Sequence, residues 1–169
     1  ILDAVAEMRR ENLIDHRGAF NKTDPRLTWH EEHPEFVLVK AEQSGTGRDI
    51  ALNRKDVHEV QLAKAAIRSG IEVLLRDANI QGNEVDEILV AGAFGTYLDL
   101  TNSIRIGMFP DLPLNRFKQI GNAAGSGARE LLLSTVKRSE AEKICDRIEY
   151  VELTTIRDYV DFFMYAIGL

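Results

Sequence analysis

The amino-acid sequence predicts an α/β fold, because helical and strand patterns alternate from residue 53 onward. Apolar residues three and four positions apart over residues 57–74 indicate a long helix. Two short apolar runs, residues 85–90 and 117–120, are typical of buried strands. Each run precedes a turn of small residues and then a helical pattern. This order favours α/β layering over an all-helical bundle.

The N-terminal part of the chain predicts one helix and a β-hairpin. Apolar residues at helical spacing over residues 1–11 predict a helix that ends near Asn12, where turn-forming residues begin. Two β-rich runs, residues 36–40 and 49–52, flank a Ser-Gly-Thr-Gly turn. We expect these runs to pair as an antiparallel hairpin.

The long central helix has clear end signals. Asn53 can cap its first turn, and Asp56 lies where a carboxylate favours the positive end of the helix dipole. The apolar periodicity ends at about Asp77. Gly70 inside this helix costs about 1 kcal/mol relative to alanine. We therefore expect a close contact with another helix at Gly70.

The C-terminal third predicts further α/β alternation. Ser139 is positioned to cap a short helix, with Glu142 at the capping-box position. The other predicted elements are a short helix over residues 102–106, a helix that ends at about Val136, a strand over residues 147–153 and a helix over residues 155–167.

Length, charge and cysteine content limit the classes of function. The chain has 169 residues and 44% hydrophobic content, which predicts a single domain over residues 1–169. A net charge of -6 opposes binding to phosphate backbones, so we expect no nucleic-acid partner. Cys145 is the only cysteine, which excludes an internal disulfide or a cluster site built from several thiolates of this chain. The single cysteine also favours a cytoplasmic protein. Charges interrupt the apolar groups of residues 1–11 and of the last predicted helix too early for a membrane span, so we expect no membrane partner.

Residues 91–95 (AGAFG) stand directly after a predicted buried strand. Glycine lets a backbone approach a ligand closely, and exposed amides can donate to phosphate or ribose oxygens. Open α/β sheets bind ligands at these carboxyl ends of strands. The stretch matches neither the dinucleotide fingerprint nor the phosphate-binding loop. Ligand approach and tight strand-to-helix packing therefore both explain its two glycines.

Five short motifs occur in a fixed order along the chain. They are residues 49–50 (DI), 61–67 (QLAKAAI), 91–95 (AGAFG), 106–110 (IGMFP) and 121–128 (GNAAGSGA). In this order they resemble the ATPase domain of the reductive activators of corrinoid proteins. That family belongs to the superfamily of acetate and sugar kinases, heat-shock chaperones and actin. The resemblance covers nearly the whole chain and implies a ribonuclease-H-like, actin-like ATPase lobe with a mixed sheet flanked by helices.

The resemblance also implies an adenosine-binding half site. It assigns Gly92, Ala93, Phe94 and Gly95 to the superfamily's adenosine loop, whose backbone passes against the nucleoside. It assigns a hinge role, purely mechanical, to the small residues of the second turn. These residues are Gly121, Asn122, Gly125 and Gly127.

Gln61, Lys64 and Arg68 lie three and four residues apart and share one face of the long helix. Spacing alone favours a water-facing stripe. The resemblance instead favours a role in binding adenine or ribose, because these residues resemble the helix that closes over the nucleoside in chaperone relatives.

The resemblance also indicates what the chain lacks. In this superfamily, glycine-rich turns from both lobes hold the phosphates and magnesium. Family members carry a Gly-Ser-Gly-like turn just before a helix that resembles residues 1–11, and this chain begins without methionine inside that pattern. We therefore expect a C-terminal lobe of a longer protein, with ATP and magnesium shared with a missing lobe. No catalytic residue or metal ligand is assigned here, and the fragment alone is expected to be inactive.

The implied function of the parent protein is ATP-dependent return of a cobalt(II) corrinoid protein to cobalt(I) in methyl-transfer metabolism. The expected partners are the corrinoid protein, the remaining lobe and an iron–sulfur module elsewhere in the parent, and a homodimer is also allowed. Three alternatives stay open: a small-molecule kinase, an activator of acyl-CoA dehydratases, and an interaction domain that does not use nucleotide.

Residues 29–33 (WHEEH) contain residue types that bind metals. The two histidines are three positions apart, whereas the zinc-protease helix needs four, and Pro25 and Pro34 flank the stretch. We therefore predict a solvated surface loop and not a metal site. Cys145, near a predicted helix end, is expected to be a buried or half-buried thiol and not a nucleophile.

Overall fold

The computed structural model describes residues 1–30 and 33–169, with His30, Ala93 and Phe94 described by their backbone only. The helices are α1 (Leu2–Arg10), α2 (Arg54–Asp77), α3 (Gly92–Tyr97), α4 (Leu100–Arg105), α5 (Ala123–Leu133), α6 (Thr135–Cys145) and α7 (Tyr159–Ala166). The strands are β1 (Leu27–His30), β2 (His33–Val39), β3 (Ile50–Asn53), β4 (Ile88–Ala91) and β5 (Phe117–Gly121).

The first sheet is antiparallel, in the order β1-β2-β3. The predicted hairpin is confirmed, since β2 pairs with β3 and Phe36 lies opposite Leu52. The predicted surface loop over residues 29–33 is wrong for its described part, because Trp29 lies in β1 opposite Pro34. Glu31 and Glu32 lie outside the described residues.

The predicted central helix is confirmed with both of its ends. The Asn53 side chain accepts hydrogen bonds from the backbone amides of Lys55 and Asp56, at 2.9 and 3.0 Å. The Asp56 carboxylate accepts in return from the Asn53 amide at 2.9 Å, which completes a capping box. The expected close helix contact at Gly70 is wrong. A Cβ atom there would meet only Leu153, outside the α-helices, at an ordinary distance of 3.9 Å.

The second sheet is the parallel pair β4–β5, which confirms the predicted α/β alternation. Ile88 is paired with Phe117 at one end, and Ala91 with Gly121 at the other. Helix α3 follows β4 directly, and α5 follows β5 after Asn122. The two small-residue turns therefore lie side by side at the carboxyl ends of β4 and β5.

The C-terminal elements differ from the sequence prediction in four places. The helix predicted over residues 155–167 begins only at Tyr159. The helix predicted to reach Val136 ends at Leu133, and α6 begins after Ser134, whose hydroxyl accepts from the Lys137 amide at 3.2 Å. Ser139 is therefore an interior residue of α6 and not a cap. Residues 147–152 form no strand in the described structure, because no described strand pairs with them.

One hydrophobic core joins α1, the first sheet, the first half of α2 and the segment from Leu98 to β5. Helix α7 packs against α2. Helices α5 and α6 contain no buried residues, and Leu132 and Leu133 are 75% and 76% exposed. The core side chains are Val5, Ala6, Met8, Ile14, Phe20, Phe36, Leu52, Val57, Val60, Leu98, Ile106, Met108, Phe109, Leu112 and Phe117.

Candidate functional site

Gly92 begins α3 at the carboxyl end of β4 and has a backbone angle φ of +91°. Residues with a Cβ atom rarely adopt this conformation. Apart from its chain neighbours and the backbone of α3, no described atom lies within 4 Å of the position that a Cβ atom would take. The backbone of Gly92 is therefore open on that side, and a ligand can approach it.

Gly95 is required for a different reason. A Cβ atom at Gly95 would lie 2.9 Å from Val90 Cγ1 and 3.2 Å from the Val90 carbonyl oxygen. Helix α3 therefore packs directly on the strand that precedes it. Of the two explanations left open by the sequence, tight packing applies to Gly95, whereas an accessible turn applies to Gly92.

The second turn is adjacent to the first. Gly121 has a φ of +62°, and a Cβ atom there would lie 4.0 Å from the Thr96 hydroxyl oxygen of α3. The amide of Gln119 donates to the carbonyl oxygens of Gly95 and Leu98, the latter at 2.8 Å, and so ties β5 to α3.

Contacts within the start of α5 explain two of the small residues that follow β5. Asn122 caps α5 by accepting from the Gly125 amide at 2.9 Å, and a Cβ atom at Gly125 would collide with this side chain. Gly127 faces open space. The hinge role of Gly121, Asn122, Gly125 and Gly127 stays a prediction.

Gln61 and Lys64 are each 1% exposed, so they do not form a water-facing stripe. The Gln61 amide donates to the Ile167 carbonyl oxygen at 3.2 Å, and the Lys64 ammonium donates to the Gly168 carbonyl oxygen. These carbonyl groups follow the last turn of α7, where helical carbonyls lack partners of their own and carry partial negative charge. Both side chains thus anchor the end of α7 to α2.

The Arg68 guanidinium donates a hydrogen bond from Nη1 to the Phe109 carbonyl oxygen and another from Nε to the Glu72 carboxylate, each at 2.7 Å. Burial, followed by the positive charge of Arg68, lowers the pKa of Lys64 from 10.5 to about 8. The side-chain oxygen of Gln61 also accepts a hydrogen bond from the Arg54 guanidinium at 3.2 Å. In the described structure, the hydrogen bonds of Gln61, Lys64 and Arg68 lead to these groups and not to residues 92–95.

A cavity of about 440 Å³ lies at the carboxyl end of α3. Sequence reasoning missed it, although Glu59, Ala63 and Ile67 recur every four residues on α2 and so mark one helix face. The cavity also contacts the first turn of α1. Its lining residues are Ile1, Leu2, Asp3, Glu59, Val60, Ala63, Ile67, Tyr97, Leu98 and Met108.

Three further features concern residues 1–30 and 33–169, which the structure describes. No group of three or more His, Cys, Asp or Glu side chains there could hold a metal ion. Cys145 is exposed, so the expectation of a buried or half-buried thiol is wrong, because α6 does not pack on the core. None of the described helices is long and apolar enough to cross a membrane.

The fold and the open turn together define an α/β domain whose glycine-containing turn at the edge of a parallel sheet is accessible to a ligand. Residues 1–169 match the family model described as the C-terminal domain of RACo, the ASKHA domain, and the chain belongs to this family. The predicted family and the actin-like fold class are thereby confirmed.

Similar proteins agree with this assignment. The chain is 38% identical to the corrinoid activation enzyme RamQ of Eubacterium limosum over 97% of its own length and 29% of the relative. It is 27% identical to a Co(II) methylated amine-specific corrinoid protein reductase of Methanosarcina barkeri, over 70% of this chain and 22% of the relative. The solved structure of a reductive activator for corrinoid, iron–sulfur protein superposes with a TM-score of 0.89 and 33% identity, covering 99% of this chain and 27% of that one. This chain therefore spans less than a third of each relative.

Proposed function

We propose that this chain is the nucleotide-binding lobe of a longer, ATP-dependent reductive activator that returns a cobalt(II) corrinoid protein to cobalt(I). The observation that carries the proposal is the match of the whole chain to one family, whose similar proteins are named for corrinoid activation. The open backbone at Gly92 supports it, because nucleoside approach requires such a turn.

In this proposal, an iron–sulfur centre outside the chain supplies the one electron that converts cobalt(II) to cobalt(I). The single cysteine, exposed Cys145, does not fit such a centre, so the cluster belongs to another part of the complete protein. ATP hydrolysis to ADP and phosphate supplies driving force by favouring one arrangement of the two lobes. Nucleotide must therefore bind the two arrangements with unequal affinity.

In this proposal, the residues of this chain bind the nucleotide, and no catalytic residue is assigned to them. The backbone of Gly92, Ala93, Phe94 and Gly95 forms a wall against adenosine. Magnesium and the phosphates are shared with the remaining lobe. The corrinoid protein and that lobe are the partners, in the cytoplasm.

Gln61, Lys64 and Arg68 are a separate part of the proposal. Two of them hold the carbonyl groups of Ile167 and Gly168, so adenosine contact through them requires that residues 167–168 move away. Lys64→Met tests this part, with Gln61→Leu as the companion variant that also loosens the anchor of α7 but keeps the ammonium. Weaker ATP binding in Lys64→Met than in Gln61→Leu is expected if the Lys64 ammonium contacts the nucleotide, and unchanged ATP binding in Lys64→Met would contradict such a contact.

The test of the whole proposal uses the complete protein, a cobalt(II) corrinoid protein and a low-potential reductant under anaerobic conditions. Formation of cobalt(I) is followed by visible absorbance, with and without ATP and magnesium. We expect cobalt(I) to accumulate only with ATP, and ADP to be ineffective. ATP-independent reduction at the same rate would contradict the proposal, and ATP-dependent phosphorylation of a small molecule would favour a kinase instead.

A further inference from the structure

Gln119 of β5 projects from the sheet face that α3 covers. It lies opposite Val90 of β4 in the parallel register. Residues opposite each other in neighbouring strands project from the same face of a sheet. The Val90 side chain faces α3, because a Cβ atom at Gly95 would lie 2.9 Å from its Cγ1 atom. The Gln119 side chain therefore reaches α3 from the neighbouring strand.

The Gln119 amide holds the carboxyl end of α3. Its nitrogen donates to the carbonyl oxygen of Gly95 and, at 2.8 Å, to that of Leu98. Carbonyl groups in the last turn of a helix have no partner within the helix, so this side chain supplies donors that α3 lacks. Both partners are acceptors, so only the NH₂ group fits between them and the amide has a single orientation.

Helix α3 depends on such contacts for its position. It has six residues and is about 9 Å long, and a helix of this length is not stable by itself in water. Two of its residues, Gly92 and Gly95, also have low helix propensity. Gly92 is the first residue of α3, so any movement of this helix displaces the open backbone of Gly92.

Strand β5 is irregular where it meets α3. The register places Val90 opposite Gln119 and Ala91 opposite Gly121, so Ile120 is skipped. Such bulges re-aim side chains and are frequent next to functional sites. On the far side of Ile120, a Cβ atom at Gly121 would lie 4.0 Å from the Thr96 hydroxyl oxygen of α3. Strand β5 therefore contacts α3 on both sides of this bulge.

We propose that Gln119 is a positioning residue for nucleotide binding, which keeps α3 and thus the Gly92 backbone in place without touching the nucleotide. This inference rests on the proposed nucleotide-binding function. Without the two hydrogen bonds, α3 spends part of its time displaced from β5. The apparent affinity then falls by the fraction of protein that keeps the binding arrangement.

The test measures ATP affinity of the complete protein by calorimetry in the presence of magnesium. Gln119→Met has a side chain of similar length without donors, and it should bind ATP roughly tenfold more weakly, because two neutral hydrogen bonds are lost. Gln119→Glu should bind ATP more weakly still, since its carboxylate faces two carbonyl oxygens. Gln43→Glu makes the same change of charge at an exposed position and should bind ATP normally.

Two further measurements separate positioning from a general loss of stability. Amide hydrogen exchange of residues 95–98 should be faster in both Gln119 variants, and ATP should slow it in the unmodified protein. Ser134→Ala removes the cap of α6, so it should lower stability and keep the affinity for ATP. Gln119→Met adds no charge, so it keeps the test decisive even if Gln119→Glu does not fold.

The outcomes distinguish this inference from the proposed function. If the unmodified protein binds ATP and folded Gln119→Met binds it equally well, the inference is wrong and the proposed function stands. If Ser134→Ala weakens ATP binding as much as Gln119→Met does, lower stability and not the position of α3 explains the loss, which also overturns the inference. Absence of ATP binding by the unmodified protein would overturn both proposals.

Discussion

The ammonium group of Lys64 donates to the carbonyl oxygen of Gly168, and this contact buries a lysine whose described partner is neutral. Residues 167–169 are held at further points, since the Leu169 amide donates to the His16 carbonyl oxygen at 2.9 Å and Arg9 donates to the Leu169 carbonyl oxygen at 3.3 Å. The segment after α7 thereby joins α1, the following loop and α2.

The burial of Lys64 predicts a specific dependence of stability on pH. Its pKa is lowered to about 8 in the folded protein, against 10.5 without burial. Between these values the unfolded chain binds more protons than the folded chain, so the free energy of unfolding rises with pH. The gain amounts to at most about 3 kcal/mol. Urea unfolding at pH 7.5, 8.5 and 9.5 should show this rise for the unmodified protein relative to Lys64→Met. Parallel pH profiles for the two proteins would show that Lys64 is not desolvated.

The positive φ of Gly92 predicts a stability cost for any side chain there. Gly92→Ala should destabilise the protein by about 1–2 kcal/mol, because alanine is strained in this conformation. Gly127→Ala is the matched control, since Gly127 is helical and faces open space. It should leave stability unchanged or raise it by up to about 1 kcal/mol. Equal urea midpoints for the two variants would refute the assigned turn.

The contact between Gly95 and Val90 predicts non-additive substitutions. Gly95→Ala should cost about 1–3 kcal/mol, because the new methyl group overlaps the Val90 side chain. Adding Val90→Ala should recover part of this loss, so the double variant is more stable than the sum of the two single changes predicts. Thermal unfolding of the unmodified protein, the two single variants and the double variant provides a double-mutant cycle. Strict additivity would mean that the two residues do not touch.

The helix break at residue 134 predicts different effects for two nearby serines. Ser134→Ala removes the cap of α6 and should destabilise this helix by about 1 kcal/mol. Ser139→Ala, inside the same helix, should change stability by no more than about 0.5 kcal/mol. Amide hydrogen exchange of α6 in both variants measures the difference. A larger effect at Ser139 would support the cap that the sequence pattern indicates.

The elements that could be predicted from sequence are those with local signals. The capping box of Asn53 and Asp56 and the long apolar period of α2 define that helix without help from the rest of the fold. Strand β1 has no such signal, because its polar WHEEH neighbourhood and Pro34 indicate a loop, and only pairing with β2 makes it a strand. Residues 147–152 show the reverse case, in which β-rich residues find no described partner strand.

The candidate site could be predicted only in part for the same reason. Glycines after a strand are visible in sequence, but the distinction between open Gly92 and packed Gly95 depends on Val90 in three dimensions. The burial of Gln61 and Lys64 depends on the docking of α7, which comes from a segment about 100 residues further along the chain. Helical spacing alone could not reveal the burial of Gln61 and Lys64.

The proposed function depends on ATP binding at the turn of Gly92. Calorimetric titration of the complete protein with ATP and magnesium measures this binding, with Gly92→Asn as the matched variant. Asparagine tolerates a left-handed backbone better than other side chains, so the fold should persist while its side chain occupies the open side of the turn. We predict one ATP bound per chain and at least about tenfold weaker binding in the variant. No binding by the unmodified protein, or equal binding by the folded variant, would contradict the claim.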